Sequence, residues 1–213
     1  KEVHYFDRRF HRTLAYYTRR FNAGRHLVKG EVTPDYATLP LERVRFIGQV
    51  MPRLKSIYLI RNPISRAWSQ AQREVLRARR RSFHEVDPEE FYRHFRSPES
   101  RAHCAYSKNL ARWRSVFPRE QIFVGFTDEI RDSPRELLRR IFRHLGVSTE
   151  VDWDRFPVHE EVNHRGKVPM PPEFRDFLTQ MYTPEIERLV QEFGDRISHW
   201  QTGIPARGPV SSR

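Results

Sequence analysis

The chain has 213 residues and a net charge of +12, carried overwhelmingly by arginine. That length suits one domain with a sizeable core. It contains no run of 18 apolar residues, which excludes a membrane-spanning helix, and its one cysteine, Cys104, excludes an internal disulfide or a multi-cysteine zinc site and fits a reducing compartment.

An excess of positive charge admits three ligand classes: nucleic acid, an anionic polymer, or a phosphate-rich nucleotide. The alternative is an arginine-rich surface with no particular partner. The basic residues are interleaved with acids and apolar periodicity, with no basic tail and no nucleic-acid motif, so nucleic acid is not expected. No signal-peptide pattern is visible; a cytoplasmic location is expected, or a lumenal one if a leader precedes Lys1.

The opening residues, Lys1 to Asp7 (KEVHYFD), set Glu2, His4 and Asp7 among apolar Val3, Tyr5 and Phe6. A carboxylate beside a histidine does general-base work when it faces a cleft; a charged edge at a fold boundary has the same composition. Phe10, Leu14, Tyr17 and Phe21 recur at helical spacing and predict an amphipathic helix ending near residues 22–24. Lys29 to Tyr36 (KGEVTPDY) is turn-rich, and Val44, Ile47 and Val50 mark a helix from about Leu41 to Met51.

Lys55 to Ser69 (KSIYLIRNPISRAWS) is the stretch on which the chain is organised. Ile57 to Ile60 read as a buried strand. Asn62-Pro63 is a turn, and a helix follows with Trp68 inward. Arg61 therefore stands at the carboxyl end of a strand and Ser69 on the next helix. In open α/β sheets ligands bind beyond those strand ends, and an arginine fork beside a helix start suits phosphate or sulfate. A solvated strand-end charge is the other reading.

Arg77 to Arg81 holds four arginines in five residues, either a solvated run or a lip for an anionic acceptor. Asp87-Pro88-Glu89-Glu90 predicts a capped helix start whose box Glu90 closes, with Phe91 and Phe95 inward and a break from Ser97 to Arg101. Ser107 to Phe117 reads as a helix, preceded by Tyr106, which either faces a cleft or packs. Cys104 reads as a small core residue. Gln121 to Phe126 (QIFVGF) is the second strand. Ser133 to Glu136 predicts a capping box, and Gly146 a helix terminator. Arg165-Gly166-Lys167 offers two cations around a flexible backbone able to approach a phosphate. Two helices are then expected, the second starting at Thr183-Pro184, with Trp200 anchoring the end and residues 201–213 a loose tail. No pair among the ten histidines has the i, i+4 spacing of a metal helix, so no metal is expected.

Arg61-Asn-Pro-x-x-Arg-Ala-x-Ser69 resembles the 3′-phosphate motif of sulfotransferases that use 3′-phosphoadenosine 5′-phosphosulfate. The opening stretch is similar to the Lys-Glu-x-His-Phe-Phe element of the heparan sulfate and related carbohydrate enzymes, and residues 30–36 resemble their Gly-Glu-Lys-Thr-Pro-x-Tyr loop. The resemblance implies Glu2 as general base with His4 beside it. It implies Arg61 and Ser69 on the 3′-phosphate, and Arg165, Gly166 and Lys167 closing over the nucleotide phosphates. Asp7, Thr33, Pro34, Tyr36 and Tyr106 are implied at the acceptor, a glycan, lipid or small molecule with a hydroxyl or amine. Val32 departs from the pattern where several glycan enzymes have lysine, which argues against a close heparan analogue.

The expected fold is α/β, a central parallel sheet flanked by helices in a single P-loop-like domain over residues 1–200. The family's glycine-rich phosphate-binding loop has no counterpart in the sequence, so the domain is expected to lack its N-terminal strand and that loop. The rival readings are a nucleotide-dependent kinase-like enzyme, which needs a P-loop and a magnesium-binding acid, and a non-catalytic basic module that binds polyanions.

Overall fold

The computed structural model describes residues 2–23, 26–77, 80–158 and 168–202. Strands β1 (Ser56–Ile60) and β2 (Ile122–Phe126) pair side by side in a small parallel sheet, and helices flank it. The α/β class expected from the two apolar runs is therefore what forms. No helix among the described residues is long and apolar enough to cross a membrane.

The chain divides into two compact units. The first comprises Lys1–Leu59, Lys108–Gly125 and Ser133–Val158. It contains α1 (Tyr5–Arg8), α2 (Leu14–Thr18), α3 (Leu41–Val50), most of both strands, most of α7 (Tyr106–Arg114) and α9 (Pro134–Leu145). Val44, Ile47, Leu110, Phe117 and Leu137 are buried in its core. Gly125 on β2 makes close packing possible: a Cβ there would sit 2.8 Å from the Leu59 side chain and 3.1 Å from that of Leu137. Gly146 ends α9 with φ +76°, a conformation that only glycine adopts without strain.

The second unit comprises Ile60–Ser107, Phe126–Asp132 and His159–Arg213. It holds α4 (Pro63–Ala71), α5 (Pro88–Arg96), α6 (Pro98–Cys104), α8 (Thr127–Asp132) and α10 (Pro172–Phe193). Its core is aromatic: the Phe91 and Phe174 rings lie 5.1 Å apart, Trp68 and Phe91 5.5 Å, and Phe95 and Phe174 5.6 Å. Past Ala71 the chain widens into a π-type turn over Gln72–Arg77. That turn carries Gln72, whose side-chain amide exchanges two hydrogen bonds with the backbone of Val168. Glu185, a buried carboxylate, accepts the Ser107 N–H at 2.7 Å at the start of α7 and is paired with Arg188. Negative charge is favourable at a helix start, where the N–H groups lack helical partners.

Several local expectations are corrected. The helix expected over Phe10 to Phe21 is broken before α2, because the Thr13 side chain caps Tyr16. Phe10 lies outside it, under the Arg43 guanidinium at 3.4 Å. Asp87 caps α5, but Glu90 grips Arg81 with both oxygens; the reciprocal box forms instead between Ser82 and Glu85. The break expected from Ser97 to Arg101 is confined to Ser97, which ends α5 and, by capping Ser100, opens a new helix, α6. Ser133 makes no side-chain cap. The two helices expected around Pro184 are one, α10. A proline inside a helix costs about 3 kcal/mol or more; here Phe174, Leu178, Tyr182, Ile186 and Leu189 form one buried stripe that outweighs it.

Candidate active site

The first unit brings Glu2, His4 and Asp7 together. His4 stands just before α1 in the left-handed region (φ 53°, ψ 37°), which is strained for any residue other than glycine. The turn aims its imidazole between two carboxylates: Nε2 lies 2.7 Å from Glu2 Oε2 and Nδ1 2.8 Å from Asp7 Oδ2. Asp35 approaches Nδ1 at 3.7 Å and is held by Arg8 at 2.7 Å. Glu2 is open to solvent, while the His4 and Asp7 side chains are largely covered.

The Asp7 hydrogen bond, seconded by Glu2, raises the His4 pKa above its ordinary value of 6.5 against the opposing cost of burial. A protonated imidazole donates from both nitrogens and so satisfies both carboxylates. The folded protein thus binds the His4 proton more tightly than the unfolded chain. This contribution to stability is present in full below pH 6.5 and is lost as pH rises through the folded pKa. Asp7→Asn removes the main cause, and the His4 midpoint in an NMR titration of the imidazole is expected to fall toward its ordinary value. A midpoint unmoved by that substitution refutes the assignment. His4, Asp7 and Asp35 also offer ligand atoms within 4.8 Å of one another, a spacing compatible with a metal ion; the Arg8 guanidinium is already placed there, paired with Asp35.

Thr33 and Tyr36 belong to the same cluster but turn their hydroxyls to the main chain. Thr33 accepts the Val3 N–H at 3.3 Å, and Tyr36 accepts the N–H groups of Tyr5 at 2.8 Å and Phe6 at 3.3 Å. Pro34, between them, is exposed. Glu31 and Asp35, neither of them assigned a role from the sequence, complete the group; both sit in the turn-rich stretch that the sequence singled out.

In the second unit, Arg61 follows β1 directly. Its guanidinium is largely buried, and burial lowers its pKa. Among the described residues it has no ion pair and no side-chain hydrogen bond. Tyr106, buried, accepts the Arg61 backbone N–H at 3.4 Å and so fixes the strand end. The first N–H groups of α4 are already taken. Asn62 Oδ1 takes those of Ile64 and Ser65, Asn62 O takes that of Arg66, and Pro63 has none. The donors left to face outward at this strand end are therefore side chains. Ser69 lies on the exposed side of α4. Arg66 donates to Gln70 at 2.8 Å and approaches the Cys104 sulfur at 3.5 Å. Burial raises the Cys104 thiol pKa, in keeping with a core role.

Just past the end of β2, Asp128 accepts from Trp200 Nε1 at 2.6 Å and from His199 Nε2 at 3.1 Å, and it exerts a longer-range attraction on Arg61. It was not singled out from the sequence, although its place beyond a strand's carboxyl end is the available signal. Arg165, Gly166 and Lys167 lie outside the described residues.

No protein among those with curated descriptions matches the chain. Among solved structures, the chain is similar to the crystal structure of a sulfotransferase from Alicyclobacillus acidocaldarius. The two are 28% identical with a TM-score of 0.68, over 89% of this chain and 74% of that one. The profile of the sulfotransferase family, whose shared chemistry is transfer of a sulfuryl group, matches residues 2–151. With more than half of its length matched, the chain belongs to the sulfotransferase family.

Proposed function

We propose that the chain moves a sulfuryl group from 3′-phosphoadenosine 5′-phosphosulfate to an acceptor hydroxyl or amine, with Glu2 as general base. The observation that carries this reading is Arg61. A guanidinium taken largely out of water, with no ion pair among the described residues, is costly unless an anion from outside completes it. Its five donors in a fixed fork match a phosphate better than a point charge does.

The donor, when bound, supplies a sulfur whose bond to the nucleotide phosphate oxygen breaks as the bond to the acceptor oxygen forms. The acceptor proton passes to Glu2. His4 Nε2 holds Glu2 Oε2 and leaves Oε1 for that proton. Arg61 and Ser69 fix the 3′-phosphate, and Arg165 to Lys167 supply further cationic contacts to the nucleotide phosphates. Positioning and electrostatics carry most of the rate in a transfer of this kind, as in phosphoryl transfer. Val32, 72% exposed beside the Glu31–Thr33 pair, gives the acceptor loop an apolar character, which favours an acceptor other than a heparan chain.

Calorimetry of 3′-phosphoadenosine 5′-phosphate against 5′-AMP at moderate salt tests the reading. Tighter binding of the 3′-phosphorylated nucleotide is expected. Equal, strongly salt-dependent binding of both replaces the reading with a polyanion-binding module.

A further inference from the structure

We propose that Glu31 is a positioning residue: by fixing which way two hydroxyls point, it holds the Val3–Phe6 main chain in the left-handed turn that sets His4 and Glu2. The proposal rests on Glu2 as general base. An ionised carboxylate has no proton and only accepts. Glu31 Oε1 takes the Tyr17 hydroxyl at 2.7 Å, and Oε2 takes those of Thr33 at 2.9 Å and Tyr36 at 3.3 Å. Each hydroxyl has a single proton, and Glu31 consumes it. The lone pairs of Thr33 and Tyr36 are then left to face the N–H groups of Val3, Tyr5 and Phe6.

That arrangement relieves His4 of a duty. His4 precedes α1, where a side chain ordinarily accepts from the first N–H groups of the helix, yet it makes no such cap. The Tyr36 oxygen does the capping instead, and the imidazole is free to lie between Glu2 and Asp7. A strained residue persists only where its surroundings over-determine it. Here three main-chain N–H groups within four residues are pinned from outside, and the pins share one carboxylate. Burial, reinforced by Glu31, pushes the Tyr17 hydroxyl well above its ordinary pKa, and burial together with the Glu31 charge pushes that of Tyr36 up to about 12. Both protons therefore stay in place at any working pH.

The test uses Glu31→Gln, Tyr36→Phe and the pair Thr33→Val and Thr33→Ser. Each variant is assayed for turnover, for affinity toward 3′-phosphoadenosine 5′-phosphate, and for the His4 titration midpoint by NMR. Glu31→Gln, Tyr36→Phe and Thr33→Val are expected to lower kcat by about 10- to 100-fold, the scale of a misplaced catalytic group. Nucleotide affinity should be retained, the His4 midpoint should fall, and Thr33→Ser should restore both kcat and midpoint. A purely structural role lowers the melting temperature without moving the midpoint of the folded protein, and that result overturns the proposal. So does loss of turnover with an unmoved midpoint. If Glu31→Gln fails to fold, Tyr36→Phe, which removes one oxygen atom, decides on the same criteria. Normal turnover in Glu2→Gln together with a shifted His4 midpoint in Tyr36→Phe removes the base assignment but keeps the positioning role.

Discussion

Glu2→Gln is expected to lower kcat by about 10²- to 10⁴-fold, the usual contribution of a positioned general base, with nucleotide affinity unchanged. The substitution preserves volume and leaves an amide oxygen that still accepts from His4 Nε2, which lies 2.7 Å from Glu2 Oε2. What it removes is the capacity to take a proton. Because that proton moves only in the transition state, the loss falls on kcat rather than on KM. Single-turnover measurement of sulfate transfer, beside calorimetry of 3′-phosphoadenosine 5′-phosphate, separates the two. A variant that transfers sulfate at the normal rate shows that the proton goes elsewhere, and His4 with its Asp7 partner is then the group to examine.

Arg61→Ala is expected to weaken binding of 3′-phosphoadenosine 5′-phosphate by about 100-fold, the loss of charge-assisted hydrogen bonds worth about 3 kcal/mol, while 5′-AMP binds as before. Folding stability should move in the opposite direction to binding, or not at all. The guanidinium is largely buried and has no ion pair among the described residues, so its removal relieves a desolvation cost and orphans no carboxylate. Urea unfolding of the free protein measures that term. Arg61→Lys should recover only part of the affinity, since an ammonium cannot present a fork to the phosphate. Equal weakening of both nucleotides places Arg61 away from the 3′-phosphate and ends the assignment.

The strand–turn–helix around Arg61 is largely legible in the sequence. β1, the Asn62-Pro63 turn and α4 all lie within sixteen consecutive residues, 56–71, where apolar pattern and turn chemistry act locally. Asn62 caps Ile64 and Ser65 as its residue type demands. Boundaries that depended on competition were not legible. Thr13 breaks an otherwise continuous apolar period by capping, and Pro184 fails to break α10 because its neighbours bury a longer stripe than local propensity weighs. Ser97 and Ser133 show the same limit from the other side. Both are good cap residues, yet only Ser97 uses its side chain as one.

The sequence by itself determined the α/β class, the strand–turn–helix that places Arg61, and the acid–histidine–acid spacing at the start of the chain, because each rests on residues close together along it. Only the tertiary structure decided that Tyr106 locks the Arg61 backbone 45 residues away, and that Thr33 and Tyr36 serve the main chain of Val3 to Phe6 from 30 and 31 residues away. Which hydroxyl meets which N–H depends on long-range packing that closes those loops. The left-handed turn at His4 depends on it too: a histidine visits that conformation only where contacts from outside hold it there, and no local pattern announces them.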